Sequence, residues 1–152
     1  MDRAIYFDMD GTIANLYGVD GWLKSLESKE TKPYREAKSL VDMRALGNKL
    51  NFLQLLGYRV GIVSWLSKSG DDDYNARVTA TKEKWLARHL GSVQFDEIKI
   101  VPYGTPKATV VDCPCGLLFD DEKPNRDNWY GVAEDVNNIL GTLDSLIEKE
   151  VA

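Results

Sequence analysis

The chain has 152 residues, with 24 Asp and Glu against 19 Lys and Arg, a formal net charge of −5 and a hydrophobic share of 43%. That length suits one domain of ordinary size with its own core, which excludes global disorder. An acidic balance with no Lys/Arg stripe argues against a surface that tracks nucleic acid, although one bound cation and one lysine can still reverse the sign locally for a small anion. Two cysteines, Cys113 and Cys115, flank Pro114. They are too few for a disulfide framework and too close for an unstrained bridge, and zinc would need ligands beyond the distant His89. No leader or membrane-spanning apolar run is visible, so a cytoplasmic protein is the expectation.

In chain order, Ala4-Ile5-Tyr6-Phe7 reads as a buried strand that runs into the turn Asp8-Met9-Asp10-Gly11-Thr12. From Ile13 to about Leu40 the pattern is irregular, with a short helical stretch near Trp22 to Leu26; this segment is expected to form a flap. Leu46, Leu50, Leu53 and Leu56 recur at helical spacing and stop at Gly57. Tyr58 to Ser64 is a second strand. Asp71, Asp72 and Asp73 supply favourable charge to the start of a helix that carries Tyr74, Val78, Thr81, Trp85 and His89 on one stripe. Ile98–Val101, Leu117–Phe119 and Gly131–Ala133 are three further strands, and Val136, Ile139, Leu140, Leu143, Leu146 and Ile147 stripe a last helix. Strands alternating with helices predict a Rossmann-like three-layer α/β/α sandwich with a mainly parallel sheet, one domain over residues 1–152 with a flap at about 13–40.

In such sheets the chemistry lies beyond the carboxyl ends of the strands. Three of those ends carry Asp8, Ser64 and the pair Asp120-Asp121. Four acidic residues, Asp8, Asp10, Asp120 and Asp121, repel one another unless a cation sits among them, and Mg²⁺ is the usual choice for oxygen ligands that share a phosphate. With the charge offset, Asp8 can attack phosphorus and Asp10 can serve as general acid. Gly11 lets the turn bring N–H groups toward the phosphoryl oxygens, Ser64 can donate to them, and Lys107 can screen their charge.

Asp8-Met9-Asp10-Gly11-Thr12, Ser64 after an apolar strand, Lys107, and Asp120-Asp121 after a fourth strand resemble, in order, the four motifs of the haloacid-dehalogenase-like hydrolases. The resemblance implies a phosphoric monoester hydrolase in which Asp8 becomes an aspartyl-phosphate and Asp10 is the acid/base. It implies a phosphate-binding set of Gly11, Thr12, Ser64, Trp65 and Lys107. The implied metal ligands are Asp8, the Asp10 backbone carbonyl and Asp121, with Asp120 behind Asp121 and Asn125 helping to orient the shell.

The run Lys84-Trp85-Leu86, His89-Leu90, Phe95-Asp96-Glu97-Ile98, Lys107-Ala108-Thr109-Val110-Val111 and Leu117-Leu118-Phe119-Asp120-Asp121 is similar to the 5'(3')-deoxyribonucleotidases. It covers roughly a third of the chain and implies nucleoside monophosphates or similar small phosphate esters as substrates, with Tyr17 and Trp22 available to stack on a base. The flap is shorter than the helical cap of those nucleotidases, and Trp65-Leu66 after Ser64 departs from their second motif. So short a flap admits a site covered by a second subunit in a homodimer, or an open-site phosphatase acting on a nucleic-acid end or phosphoprotein; acidic residues, a Ser/Thr and a Lys on a parallel sheet also admit a phosphoacceptor module of the receiver type. A receiver places its acidic pair first and its acceptor Asp on a middle strand, which is the reverse of the order here.

Overall fold

The computed structural model describes residues 2–152. A five-stranded sheet, all parallel, has β1 (Ala4–Phe7) at its centre. Beside it on one side are β4 (Arg59–Trp65) and β5 (Glu97–Val101), and on the other β6 (Leu117–Phe119) and β7 (Val132–Glu134). The apolar runs of the sequence occupy the middle because central parallel strands are buried on both faces. Tyr6 pairs with Gly61 on one side and Leu118 on the other, so the strand ends at residues 8, 64 and 120 come into line.

Alternation along the strands separates two faces. Ile5, Phe7, Val60, Ile62, Leu117 and Phe119 share one core with α3 (Met43–Leu55), the second half of α4 (Asp72–His89) and α6 (Ile139–Val151). Tyr6, Val63 and Leu118 face the other way, toward Ala108, Val111 and Trp129. That second layer is thin. Its largest connection, residues 102–116, holds Pro102, Gly104, Pro106, Pro114 and Gly116 and forms only the single 3₁₀ turn Lys107–Thr109, because proline removes amide donors and glycine disfavours helix.

The expected helices and strands are present with small shifts. Asp71 caps α4 by accepting from the Tyr74 N–H at 2.8 Å. Its buried stripe runs through Lys82 rather than Thr81, and His89 stacks on Trp85 with ring centroids 4.1 Å apart. The flap is more ordered than its composition indicates. It contains a two-stranded antiparallel ribbon of β2 (Ala14–Asn15) and β3 (Lys38–Ser39), with α1 (Trp22–Glu27) and α2 (Lys32–Glu36) between them. Leu16 and Tyr34 anchor it against Leu66, Tyr74 and Val78. Among the described residues no helix is long and apolar enough to cross a membrane.

Candidate active site

Asp8 follows the last residue of β1 and is fixed from below by its own N–H, which donates to the Phe119 carbonyl at 3.0 Å. The chain then turns back tightly: the N–H groups of Thr12, Ile13 and Ala14 all donate to the Met9 carbonyl, and that of Gly11 donates to Ala14. Gly11 has φ +82°, and a Cβ there would collide with Asp121 Oδ2. Glycine is required twice over, for the left-handed backbone and for the approach of a carboxylate.

Asp8, Asp120 and Asp121 converge, each offering one oxygen, with those atoms within 4.8 Å of one another. Lys107 reaches into the group from the 3₁₀ turn after β5, with Nζ 2.9 Å from Asp8 Oδ1 and 2.6 Å from Asp120 Oδ2. The two acidic neighbours that follow β6 differ. Asp120 is fully buried and saturated, accepting also from Asn125 Nδ2 at 3.2 Å and the Glu122 N–H at 2.9 Å. Asp121 is half-buried and meets the Thr12 hydroxyl at 3.3 Å.

Several of the residues expected at a phosphate make hydrogen bonds within the chain. Thr12 is buried, and its hydroxyl serves the carboxylates, 3.0 Å from Asp8 Oδ2, while accepting the Asp121 N–H at 3.2 Å. The N–H groups of Gly11 and Thr12 are both used inside the turn, where these residues shape the loop beside the acids. Ser64 is also fully buried, and its Oγ accepts from Lys82 Nζ at 2.8 Å. Trp65 lines the cavity with its ring, held by its indole N–H on the Thr105 carbonyl at 2.8 Å and stacked over Lys107 Nζ at 5.4 Å.

Lys82 is the group that sequence reasoning passes over. A lysine on a long helix with charged neighbours reads as solvated, and only its place four residues after Val78 and three before Trp85 marks the buried stripe. Its Nζ lies 2.9 Å from Asp10 Oδ2. The Asp10 carboxylate therefore stands apart from the other three acids, on a lysine of its own.

The electrostatics follow from burial and charge. Burial first, then the Asp8 charge, pushes the Asp120 carboxyl up to about 6 and that of Asp121 up to about 7. Asp10 is likewise raised, by burial, with Lys82 opposing. Lys107 is pulled down by burial, but Asp8 and Asp120 outweigh this and hold it above the ordinary lysine value. Three converging carboxyls with so little positive charge among them suit a hard divalent cation with oxygen ligands. Asp8, Asp10 and Lys107 line a cavity of about 560 Å³ that is also lined by Tyr17, Trp22 and Tyr34 from the flap and by Trp65 and Tyr103.

No protein-family model matches the chain, and no curated protein matches it. Among solved structures it is similar to a D,D-heptose 1,7-bisphosphate phosphatase from B. bronchiseptica, complexed with magnesium and phosphate. The TM-score is 0.60 and the identity 12%, over 97% of this chain and 99% of that one. The chain has the haloacid-dehalogenase-like fold. The corresponding phosphatase from Burkholderia thailandensis aligns with a TM-score of 0.59 and 11% identity, over 96% of this chain and 99% of that one. Both likenesses span the two chains almost end to end.

Proposed function

We propose that the chain is a Mg²⁺-dependent phosphomonoester hydrolase that works through an aspartyl-phosphate on Asp8, with nucleoside monophosphates as its substrates. The observation that carries this is Asp8 itself, which lines an aromatic cavity together with Lys107 and converges with Asp120 and Asp121. The similar solved proteins are phosphatases, one of them with magnesium and phosphate bound, which supports the reaction class.

Asp8, Asp121 and the Asp10 carbonyl would hold the metal, with Asp120 behind them kept in place by Lys107 and Asn125. Bound Mg²⁺ supplies positive charge that offsets repulsion between these acids and a phosphate dianion. Asp8 presents a carboxylate oxygen to phosphorus, Asp10 delivers a proton to the leaving oxygen, and Lys107 stabilises charge on the phosphoryl group. A cavity of about 560 Å³ suits a small ligand. Two aromatic pairs border it, Tyr17 with Trp22 and Trp65 with Tyr103, both at centroid distances of 4.9 Å. They offer π-faces and edges against which a flat base can stack.

Phosphate release with Mg²⁺ should be compared across nucleoside 5'- and 3'-monophosphates, sugar mono- and bisphosphates and a phosphorylated oligonucleotide. Preference for nucleoside monophosphates supports the full reading. Preference for sugar bisphosphates leaves the reaction class intact and removes the substrate, and release from the oligonucleotide alone favours an open-site phosphatase.

Metal and protons compete for the same carboxyls. With Asp120 and Asp121 raised in the folded chain, the native state holds protons that an unfolded chain, with carboxyls near ~4, has already shed. In EDTA these two groups therefore cost stability progressively as pH rises from about 4 through about 7. A cation replaces the protons, so the gain in Tm from Mg²⁺ is expected to grow between about pH 6 and pH 8. Thermal melts with and without Mg²⁺ at both values check this. A gain that is absent, or larger at the lower pH, argues against a metal on these acids.

A further inference from the structure

The inner face of α4 is apolar at Tyr74, Val78, Trp85 and Leu86, and Lys82 interrupts it while only 1% exposed. Burying an ammonium is costly unless each of its donors finds an acceptor. All three do: Asp10 Oδ2 at 2.9 Å, Ser64 Oγ at 2.8 Å and the Trp65 carbonyl at 2.7 Å. The Tyr34 ring, from the flap, lies over the ammonium with its centroid 5.1 Å away. Packing alone gives no reason for a charge here, since an apolar side chain of the same length would fill the space without the desolvation cost.

We propose that Lys82 is a positioning residue for proton transfer, acting through Asp10; this rests on the phosphatase reading above. Two buried lysines take three of the four acids of the site between them. Lys107 holds Asp8 and Asp120, and Lys82 holds Asp10. With Oδ2 pinned by Lys82, Asp10 keeps Oδ1 for the cavity it lines. In the first half-reaction a bond forms between an Asp8 oxygen and phosphorus, the bond from phosphorus to the leaving oxygen breaks, and that oxygen takes the proton from Asp10. Negative charge then appears on Asp10 beside the ammonium. The attraction is stronger in the transition state than before it, so it lowers the barrier. In the second half-reaction the Asp10 carboxylate takes a proton from water, whose oxygen bonds to phosphorus and releases Asp8. Because the third donor of Lys82 holds the end of β4 and the flap ring covers it, Asp10 is set relative to the sheet and not to solvent.

The test is kcat/KM, which reports the steps up to the phosphorylated enzyme. It is measured with Mg²⁺ for the wild type, Lys82→Met, Asp10→Asn and the double variant, on phenyl phosphate and on a dinitrophenyl phosphate, whose leaving group needs no proton. Lys82→Met is expected to lose ~10²-fold on phenyl phosphate and less than ~5-fold on the dinitrophenyl ester. In the double variant, Lys82→Met should add almost nothing to the loss caused by Asp10→Asn. Equal losses on the two esters, or losses that multiply in the double variant, overturn the proposal and leave Lys82 as a tie between α4 and β4. If Lys82→Met does not fold, Lys82→Gln, which retains donors but no charge, carries the same comparison. A wild type inactive on both esters removes the phosphatase reading itself, whereas an active wild type with a flat pattern removes only the role of Lys82.

Discussion

Asp8→Asn is expected to abolish phosphate release, by at least ~10³-fold on every ester, while leaving the fold intact. The amide is nearly isosteric with the carboxylate and keeps an oxygen for Lys107 Nζ, which lies 2.9 Å from Asp8 Oδ1 in the native chain. It has no anionic oxygen with which to attack phosphorus. The substitution also removes one negative charge from a group whose remaining members, Asp120 and Asp121, are raised partly by Asp8. The variant should therefore melt in EDTA at the wild-type temperature or above it. Loss of activity with undiminished stability separates a chemical role from a structural one, and activity within ~10-fold of wild type would remove Asp8 as nucleophile.

Lys107→Met is expected to do the reverse and strike stability as hard as activity. Lys107 is buried, and its Nζ is the cation shared by Asp8 and Asp120, the second of them wholly inaccessible to solvent. Methionine fills the volume but leaves two buried carboxylates with no counter-charge, a loss of about 3–5 kcal/mol. For a chain of this size that corresponds to a fall in Tm of roughly 10 °C. Protonation of the acids will soften it at low pH, and Mg²⁺ should restore part of it because the cation supplies the missing charge. Phosphate release with Mg²⁺ should fall ~10²–10³-fold through loss of transition-state stabilisation. Melts in EDTA and in Mg²⁺, beside an activity assay, check each part, and a change in Tm under about 2 °C in EDTA contradicts the pairing.

The sheet was legible in the sequence because buried parallel strands appear as unbroken apolar runs, and Ala4–Phe7, Val60–Val63 and Leu117–Phe119 are such runs. Their carboxyl ends then locate Asp8, Ser64 and Asp120-Asp121 without knowledge of any contact. The flap was harder to read. Its ribbon strands have two residues each and α2 has five, too few for any periodicity to emerge, and packing of Leu16 and Tyr34 holds them in place. Within the site, residue types were legible and their partners were not. Nothing in the sequence shows that the Thr12 hydroxyl lies between the carboxylates of Asp8 and Asp121. Lys82 carries a charge that favours a solvent-facing reading, and only the three-dimensional approach of α4 to the end of β4 brings it to Asp10 and Ser64.

The most direct test of the central claim is to trap the covalent intermediate. Wild-type protein is mixed with Mg²⁺ and a nucleoside monophosphate labelled in its phosphate, quenched in acid within the first turnover, digested and mapped by mass spectrometry. The account predicts label on the peptide carrying Asp8, released by hydroxylamine as an acyl phosphate must be, and absent from Asp8→Asn. Turnover with no label on the protein, or label on any other residue, would contradict it.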